Sequence, residues 1–100
     1  MMEETKVITL NKQIESNDGK EAYIEIHLRE PALIEVEQFY EMDKKSNPLA
    51  AMRLLITLVS GVPETVLKKM AITDFRQCEA FLTAFLAYTP SNNGSDSRRK

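Results

Sequence analysis

The side chains best suited to catalysis or metal binding are few in this sequence. His27 is the single histidine and Cys78 the single cysteine of the 100 residues. Glu25 and His27 would share one side of a strand, a frequent coincidence that supplies neither a metal site nor a partner for a catalytic base. Burial of Cys78 on the apolar side of a helix would raise the pKa of its thiol and make it unreactive. We therefore predict no enzyme, no catalytic residue, no metal and no cofactor.

One segment of the sequence resembles a DNA-binding motif. The segment from Ile56 to Met70 has the helix, glycine turn and helix order of a helix-turn-helix motif. However, Ser60 occupies a position that is normally apolar, and the would-be reading helix begins with Glu64, whose charge would face phosphates. With 13 basic and 15 acidic residues the chain also lacks the positive surface that supplies most DNA affinity. We expect no nucleic acid partner and keep a small helix-turn-helix regulator as the alternative function.

The composition fits one small domain of an intracellular protein. A length of 100 residues suits a single core, and one cysteine excludes an internal disulfide framework. The longest apolar run, residues 49–59, contains Arg53 and is shorter than the roughly 18 residues that span a bilayer. Charge is divided unevenly, with eleven acids and four bases in residues 1–43 and four acids and nine bases in residues 44–100. We expect no membrane partner and no export signal.

The elements that position these residues begin with a predicted antiparallel hairpin over residues 5–28. Its second strand alternates apolar and polar side chains, which is the pattern of a strand with one buried face. A two-residue turn would place Ile14 opposite Tyr23. A three-residue loop with Gly19 in the left-handed conformation would place Ile14 opposite Ala22 and make one face continuously apolar. We prefer the three-residue loop.

Two longer helices are predicted to follow the hairpin. Pro31 suits the first turn of a helix that we extend to about Lys44, although the alternation in residues 34–37 also fits a strand. Asn47-Pro48 is a cap followed by a first-turn proline, and Gly61 is placed to end that helix in the left-handed conformation. The polar stripe of this second helix is narrow, so we expect it to form the buried centre of the domain.

Two further helices and a tail complete the predicted organisation. Pro63 opens a short helix to about Met70, and Thr73 caps the last helix, which runs to about Tyr88. Residues 89–100 contain no apolar side chain and are predicted to be a disordered tail. The fold is therefore a single α+β domain over residues 1–88, with an N-terminal hairpin packed on about four helices in residues 31–88. The last helix has a strip of small side chains on its outer side: Ala80, Thr83, Ala84 and Ala87.

Several short motifs, taken in order, resemble a known family. The first part runs Val7-Ile8-Thr9-Leu10, Lys12-Gln13-Ile14, Asp18-Gly19-Lys20 and then a strand ending Leu28-Arg29-Glu30-Pro31. Together these resemble the opening of the small tail assembly chaperones of contractile-tailed phages, the E-protein-like family. The likeness continues through Gly61-Val62-Pro63, Asp74 and a closing Phe-Leu helix, and covers nearly all of residues 5–88. The motif residues to which we assign structural roles are Gly19, Leu28, Arg29, Glu30, Pro31, Gly61 and Pro63.

The resemblance implies a protein that keeps the tape measure protein soluble until the tail tube polymerises around it. Such a protein would act in the cytoplasm of the bacterial host and be absent from the mature virion. A weaker third interpretation is an interaction adaptor of another kind. Binding a long helical client requires an apolar or small-residue groove. We predict that groove, for client or self-association into a homo-oligomer, at Met52, Phe81, Ala84, Phe85 and Tyr88, although the same residues also fit a core.

Members of this family are also commonly made in a longer form by a programmed frameshift near the end of the gene. Ala80-Phe81-Leu82 and Ala84-Phe85-Leu86 could each be encoded by GCT TTT TTG, which contains the slippery heptamer T TTT TTG. The resemblance thus adds a longer frameshifted form of the chain itself as an expected partner. Reading the gene tests this expectation.

Overall fold

The computed structural model describes residues 5–90 and shows an N-terminal hairpin followed by four helices. This confirms the predicted α+β class. Of the predicted tail, Thr89 and Pro90 lie outside any helix or strand, and residues 91–100 lie outside the described residues. The elements are β1 (Thr5–Glu15), β2 (Ala22–Arg29), α1 (Leu33–Lys45), α2 (Pro48–Ser60), α3 (Glu64–Leu67) and α4 (Ile72–Leu86).

The loop of the hairpin has four residues, so the predicted three-residue loop is wrong. The backbone N–H of Ser16 donates to the carbonyl of Glu21 at 2.9 Å, and residues 17–20 lie between them. Asp18 explains the extra residue, because its carboxylate accepts from the Ser16 hydroxyl at 2.6 Å and from the backbone N–H of Lys20 at 2.9 Å. These bonds hold the turn closed one residue further along. The left-handed Gly19 is confirmed, with φ of 73°.

The strand register changes within the hairpin, so neither single register describes it. Near the loop Ile14 lies opposite Tyr23, the pairing expected of a two-residue turn, whereas at the open end Ile8 lies opposite Ile26. Between these pairs residues 10–13 of β1 face only Ile24 of β2, which makes a bulge in β1. The bulge explains the failed prediction, since it keeps the apolar side chains of both ends on the core face. Five side chains of the hairpin are buried there: Ile8, Leu10, Ile14, Ile26 and Leu28.

The helix boundaries confirm two predicted caps and contradict a third. The Asn47 side chain accepts from the backbone N–H of Ala50 at 2.8 Å, and Gly61 ends α2 with φ of 81°. The predicted cap at Thr73 is wrong, because α4 already begins at Ile72, after Ala71, and has no side-chain cap hydrogen bond. The predicted short helix after Pro63 is also shorter than expected, since α3 ends at Leu67.

Helix α2 is the centre of the domain, as its narrow polar stripe predicts. It contacts β2, α1, α3 and α4, while α4 lies against β1. Helix α1 has no buried residue and packs along α2 through half-buried side chains such as Phe39. In the described residues no helix is both long and apolar enough to cross a membrane. The buried side chains of α2 are Ala50, Ala51, Met52, Leu55, Ile56 and Val59.

Candidate functional site

The C-terminal half of α4 carries most of the predicted binding surface. The rings of Phe81 and Phe85 meet edge to face, with centroids 5.1 Å apart and an angle of 77° between the planes. Phe81 is half-buried and packs against the core, whereas Phe85 is half-buried outside the core cluster. Tyr88, just past the helix, is 59% exposed, and Ala84 is exposed. The structure thus brings four of the five predicted residues to one end of α4.

Met52 is the exception, and the prediction that it lies on this surface is wrong. Its side chain is only 3% exposed and belongs to the central apolar cluster. The reason is its place on α2, where it is one of six buried side chains of the central helix. A partner therefore meets almost nothing of Met52 in this conformation.

The small side chains on the outer side of α4 are accessible. Small residues allow the backbone of another helix to approach closely, which larger side chains would prevent. The exposed strip adjoins Phe85 and Tyr88, so apolar rings and a flat small-residue surface lie side by side. Its exposed members are Ala80, Thr83, Ala84 and Ala87.

A second apolar depression lies at the opposite end of α4. Its volume is about 150 Å³, and the exposed side chains of Leu49 and Ile72 stand at its rim, at 49% and 55% exposure. Arg53 and Lys68 border it, and the Nε of Arg53 donates to a carboxylate oxygen of Glu64 at 3.0 Å. Sequence reasoning missed this depression because its lining residues come from three helices and from the segment between α3 and α4: Leu49, Arg53, Leu67, Lys68, Met70, Ile72 and Phe75.

The Leu28-Arg29-Glu30-Pro31 motif joins the hairpin to two helices. The Arg29 guanidinium forms two parallel bonds to the Glu35 carboxylate, at 2.8 and 2.7 Å, and also donates to the carbonyl of Leu58 at 3.1 Å. Glu35 in turn accepts from the backbone N–H of Ala32 at 2.8 Å, at the start of α1. These bonds, the bond to Arg29 first, hold the pKa of Glu35 below its ordinary value. Leu28 and Pro31 are buried, and Glu30 is exposed.

Asp74 is the buried polar side chain of the described residues, and it is not among the predicted site residues. Its side chain is fully buried in the first turn of α4. Both of its carboxylate oxygens accept from the backbone N–H of Asn11 at 3.0 Å, one accepts from the Asn11 side-chain amide at 3.1 Å, and one from the backbone N–H of Lys12 at 3.1 Å. The carboxylate therefore satisfies the N–H groups that the bulge of β1 leaves unpaired. Asp74 is one of the residues that carry the family resemblance, but no pattern in the sequence indicates its hydrogen-bond partners.

His27 and Cys78, the two side chains considered for catalysis, lie on different elements. Burial, and secondarily the charge of Asp74, raise the pKa of the Cys78 thiol to about 12, as its helical position predicts. The His27 ring lies 2.9 Å from a Glu25 carboxylate oxygen on the exposed side of β2. Among residues 5–90 no three His, Cys, Asp or Glu side chains cluster as metal ligands.

The geometry also bears on the helix-turn-helix alternative. The would-be reading helix, α3, has four residues and is therefore about 6 Å long. Its first residue, Glu64, is held by Arg53 of α2. A helix this short, with an acidic start, presents little that could enter a DNA groove.

These features describe a small α+β domain with an apolar and small-residue surface at the end of its last helix. Comparison with known families matches residues 7–87 to the phage tail assembly chaperone proteins, E, or 41 or 14. The chain belongs to this family, which supports a role as a tail assembly chaperone and is in keeping with a function that is not enzymatic. Neither the curated proteins nor the solved structures that were searched contain a match.

Proposed function

We propose that this protein binds the tape measure protein and keeps it soluble until the tail tube polymerises around it. The observation that carries the proposal is the family match over residues 7–87. The protein would act in the cytoplasm of the bacterial host and leave the assembly before the virion is mature. A longer frameshifted form of the chain would bind alongside it.

The client-binding surface in this proposal is the C-terminal half of α4, without Met52. A long helical client with apolar stripes needs a surface that shields those stripes and can later release them. Tyr88 offers an exposed ring and Phe85 a half-buried one, and Ala84 and its small neighbours let a client helix approach. Most other described side chains on this side of α4 are uncharged. Few charged groups would therefore lose their contact with water when a client helix binds.

Co-expression with the tape measure protein encoded by the same phage tests the function. We expect the client to be soluble and to copurify with this chain, and to aggregate when this chain is absent. If the client's solubility is unchanged and the two proteins do not copurify, the proposed function is wrong. The helix-turn-helix alternative makes the opposite prediction, namely binding to duplex DNA that weakens steeply with salt.

A pair of matched substitutions tests the surface. Ala84→Arg places a long charged side chain in the small-residue strip, whereas Thr65→Arg adds the same side chain at an exposed position of α3. We expect Ala84→Arg to reduce copurified client by about tenfold, since a large charged group would hold a client helix away from the strip. Thr65→Arg should leave binding unchanged. Equal binding by both variants would place the client elsewhere on the domain.

A further inference from the structure

The two edges of the hairpin are protected to different degrees. On β1, the backbone N–H groups of Asn11 and Lys12 are bound by Asp74, and the carbonyl of Glu15 accepts from the Lys69 ammonium at 2.8 Å. The bulge further distorts this strand. Covering and distorting an edge strand is how proteins keep it from pairing with another chain.

The edge of β2 has no such protection in the part of the chain that the structure describes. From Ala22 to Leu28, no backbone N–H or carbonyl forms a hydrogen bond outside the hairpin. Ile24 is 63% exposed on this strand, and the side chains of Glu25 and His27 are 44% and 67% exposed. A two-stranded sheet is marginal, and an open, regular edge is a template for a further strand.

We propose that β2 pairs antiparallel with β2 of a second copy of this chain, about a two-fold axis at Ile26. The sequence of the strand is self-complementary in this register. Glu25 and His27 lie 2.9 Å apart within each copy. In the dimer Glu25 of each copy also lies opposite His27 of the other, which brings two acids and two imidazoles into one group. Ile24 of each copy lies opposite Leu28 of the other, so the exposed Ile24 side chain gains an apolar neighbour. The two hairpins become one four-stranded sheet.

The neighbouring in-phase registers are less favourable. An axis at Glu25 would place the two Glu25 carboxylates opposite each other, and like charges directly opposite destabilise a strand pair. An axis at His27 would oppose the two imidazoles and shorten the overlap to residues 25–29. A shift by a single residue would set core-facing side chains beside solvent-facing ones. The axis at Ile26 pairs residues 23–29 without opposing like charges.

The expected dimer is weak. A strand pair of this length buries less surface than a standard stable interface, so we expect dissociation in the micromolar range or above. The dimer requires no client, so its test is independent of the tape measure experiment. Sedimentation equilibrium of the full chain over a wide concentration range should show a reversible monomer and dimer.

A charge exchange tests the register. Glu25→Lys places a lysine opposite His27, and His27→Glu places a carboxylate opposite Glu25, so each variant alone should dimerise about tenfold more weakly than the unaltered chain. In an equimolar mixture of the two variants the introduced lysine lies opposite the introduced glutamate and His27 lies opposite Glu25, so the dissociation constant should return to within about threefold of the original. A mixture no better than its components would overturn the proposed register.

A matched pair of exposed apolar residues tests the edge. Ile24 lies on β2 at 63% exposure, and Ile72 lies at the start of α4 at 55% exposure. We expect Ile24→Lys to weaken the dimer about tenfold and Ile72→Lys to leave it unchanged, since lysine on an edge strand opposes pairing. Circular dichroism shows that each variant is folded. A chain that stays monomeric up to its solubility limit, or a dimer weakened equally by both variants, would overturn the proposal.

Discussion

Two of the polar contacts that attach the hairpin to the helices differ in burial and in chemistry. Asp74 at the start of α4 is fully buried and accepts hydrogen bonds from the bulge of β1. Arg29 at the end of β2 pairs with Glu35 of α1, and the two side chains are 45% and 14% exposed. The buried contact holds backbone groups that have no other partner, whereas the exposed ion pair joins two side chains that water can also reach.

The fold depends more on the Asp74 contact than on the Arg29–Glu35 ion pair. Losing Asp74 removes the acceptor of two backbone N–H groups and of the Asn11 amide, and each of these groups that water does not reach costs its desolvation penalty. An exposed ion pair is screened by water, and its loss leaves both partners solvated. The bidentate geometry of Arg29 and Glu35 raises the value of that pair, but not to the level of a buried carboxylate. Removing each contact separately tests this ranking.

Asp74→Ala should destabilise the protein more than the loss of either partner of the exposed ion pair. We expect the free energy of unfolding to fall by about 3 kcal/mol, because the partly buried hydrogen bonds of the Asn11 and Lys12 N–H groups to a fully buried carboxylate are lost together. Urea denaturation followed by circular dichroism measures the change. Asp43→Ala removes an exposed acid of α1 and should change the stability by less than about 0.5 kcal/mol. A loss no larger than that caused by Arg29→Ala or Glu35→Ala would contradict the ranking.

Labelling of Cys78 measures the effect of losing the Asp74 contact in a second way. Cys78 lies one helical turn after Asp74 and is fully buried. Its thiol, with a pKa raised to about 12, should react with a thiol reagent only when the domain opens. Loss of about 3 kcal/mol in Asp74→Ala should speed this reaction roughly a hundredfold at neutral pH. Labelling in the absence and presence of urea measures the rate. Rapid labelling of the unaltered folded chain would show that the thiol is accessible.

Much of the fold could be predicted because its local signals are strong. Asn47 and Gly61 bound α2 through a side-chain cap and a left-handed residue, and both are recognisable from residue type alone. The hairpin register could not be predicted, because the bulge in β1 depends on Asp74, which lies 63 positions beyond Asn11. Alternation within a strand carries no information about an acceptor so distant in the sequence.

The candidate site was predictable in part for the same reason. Phe81 and Phe85 lie on one helix and Tyr88 lies just past its end, so helical spacing brings them close together. Met52 was placed with them although it comes from another helix, and only the packing of α2 at the centre of the domain decides that it is buried. Residues that a single element positions are thus predictable, and those that tertiary packing positions are not.

The Arg29–Glu35 ion pair should contribute measurably but less than Asp74. A double-mutant cycle with Arg29→Ala, Glu35→Ala and the double variant isolates the pair from the other bonds of each side chain. We expect a coupling energy of about 1 kcal/mol, since the pair is bidentate and only partly exposed. The pair of Arg76 and Glu79, on the surface of α4, is the matched control and should couple by about 0.3 kcal/mol. A coupling for Arg29 and Glu35 no larger than this control would remove the distinction between the two surface pairs.

The smallest expected effect is the pH dependence of the exposed contact. The pKa of Glu35 is lowered in the folded protein from its ordinary value of 4.5, first by the hydrogen bond from Arg29. A carboxyl group with a lowered folded pKa stabilises the protein above its unfolded pKa, and this contribution is lost as the pH falls through the lowered value. Glu35→Gln lacks this titration, so the stability difference between it and the unaltered chain should be constant near neutral pH and shrink below about pH 4.5.

Asp18 must be separated from this effect, because its pKa is also lowered, chiefly by the Ser16 hydroxyl. Asp18 titrates in both the unaltered chain and Glu35→Gln, so the difference between their unfolding curves cancels it. Repeating the comparison in an Asp18→Asn background should give the same difference curve. A stability difference that persists undiminished at the lowest pH where the domain still folds would show that Glu35 acts through packing and not through its charge.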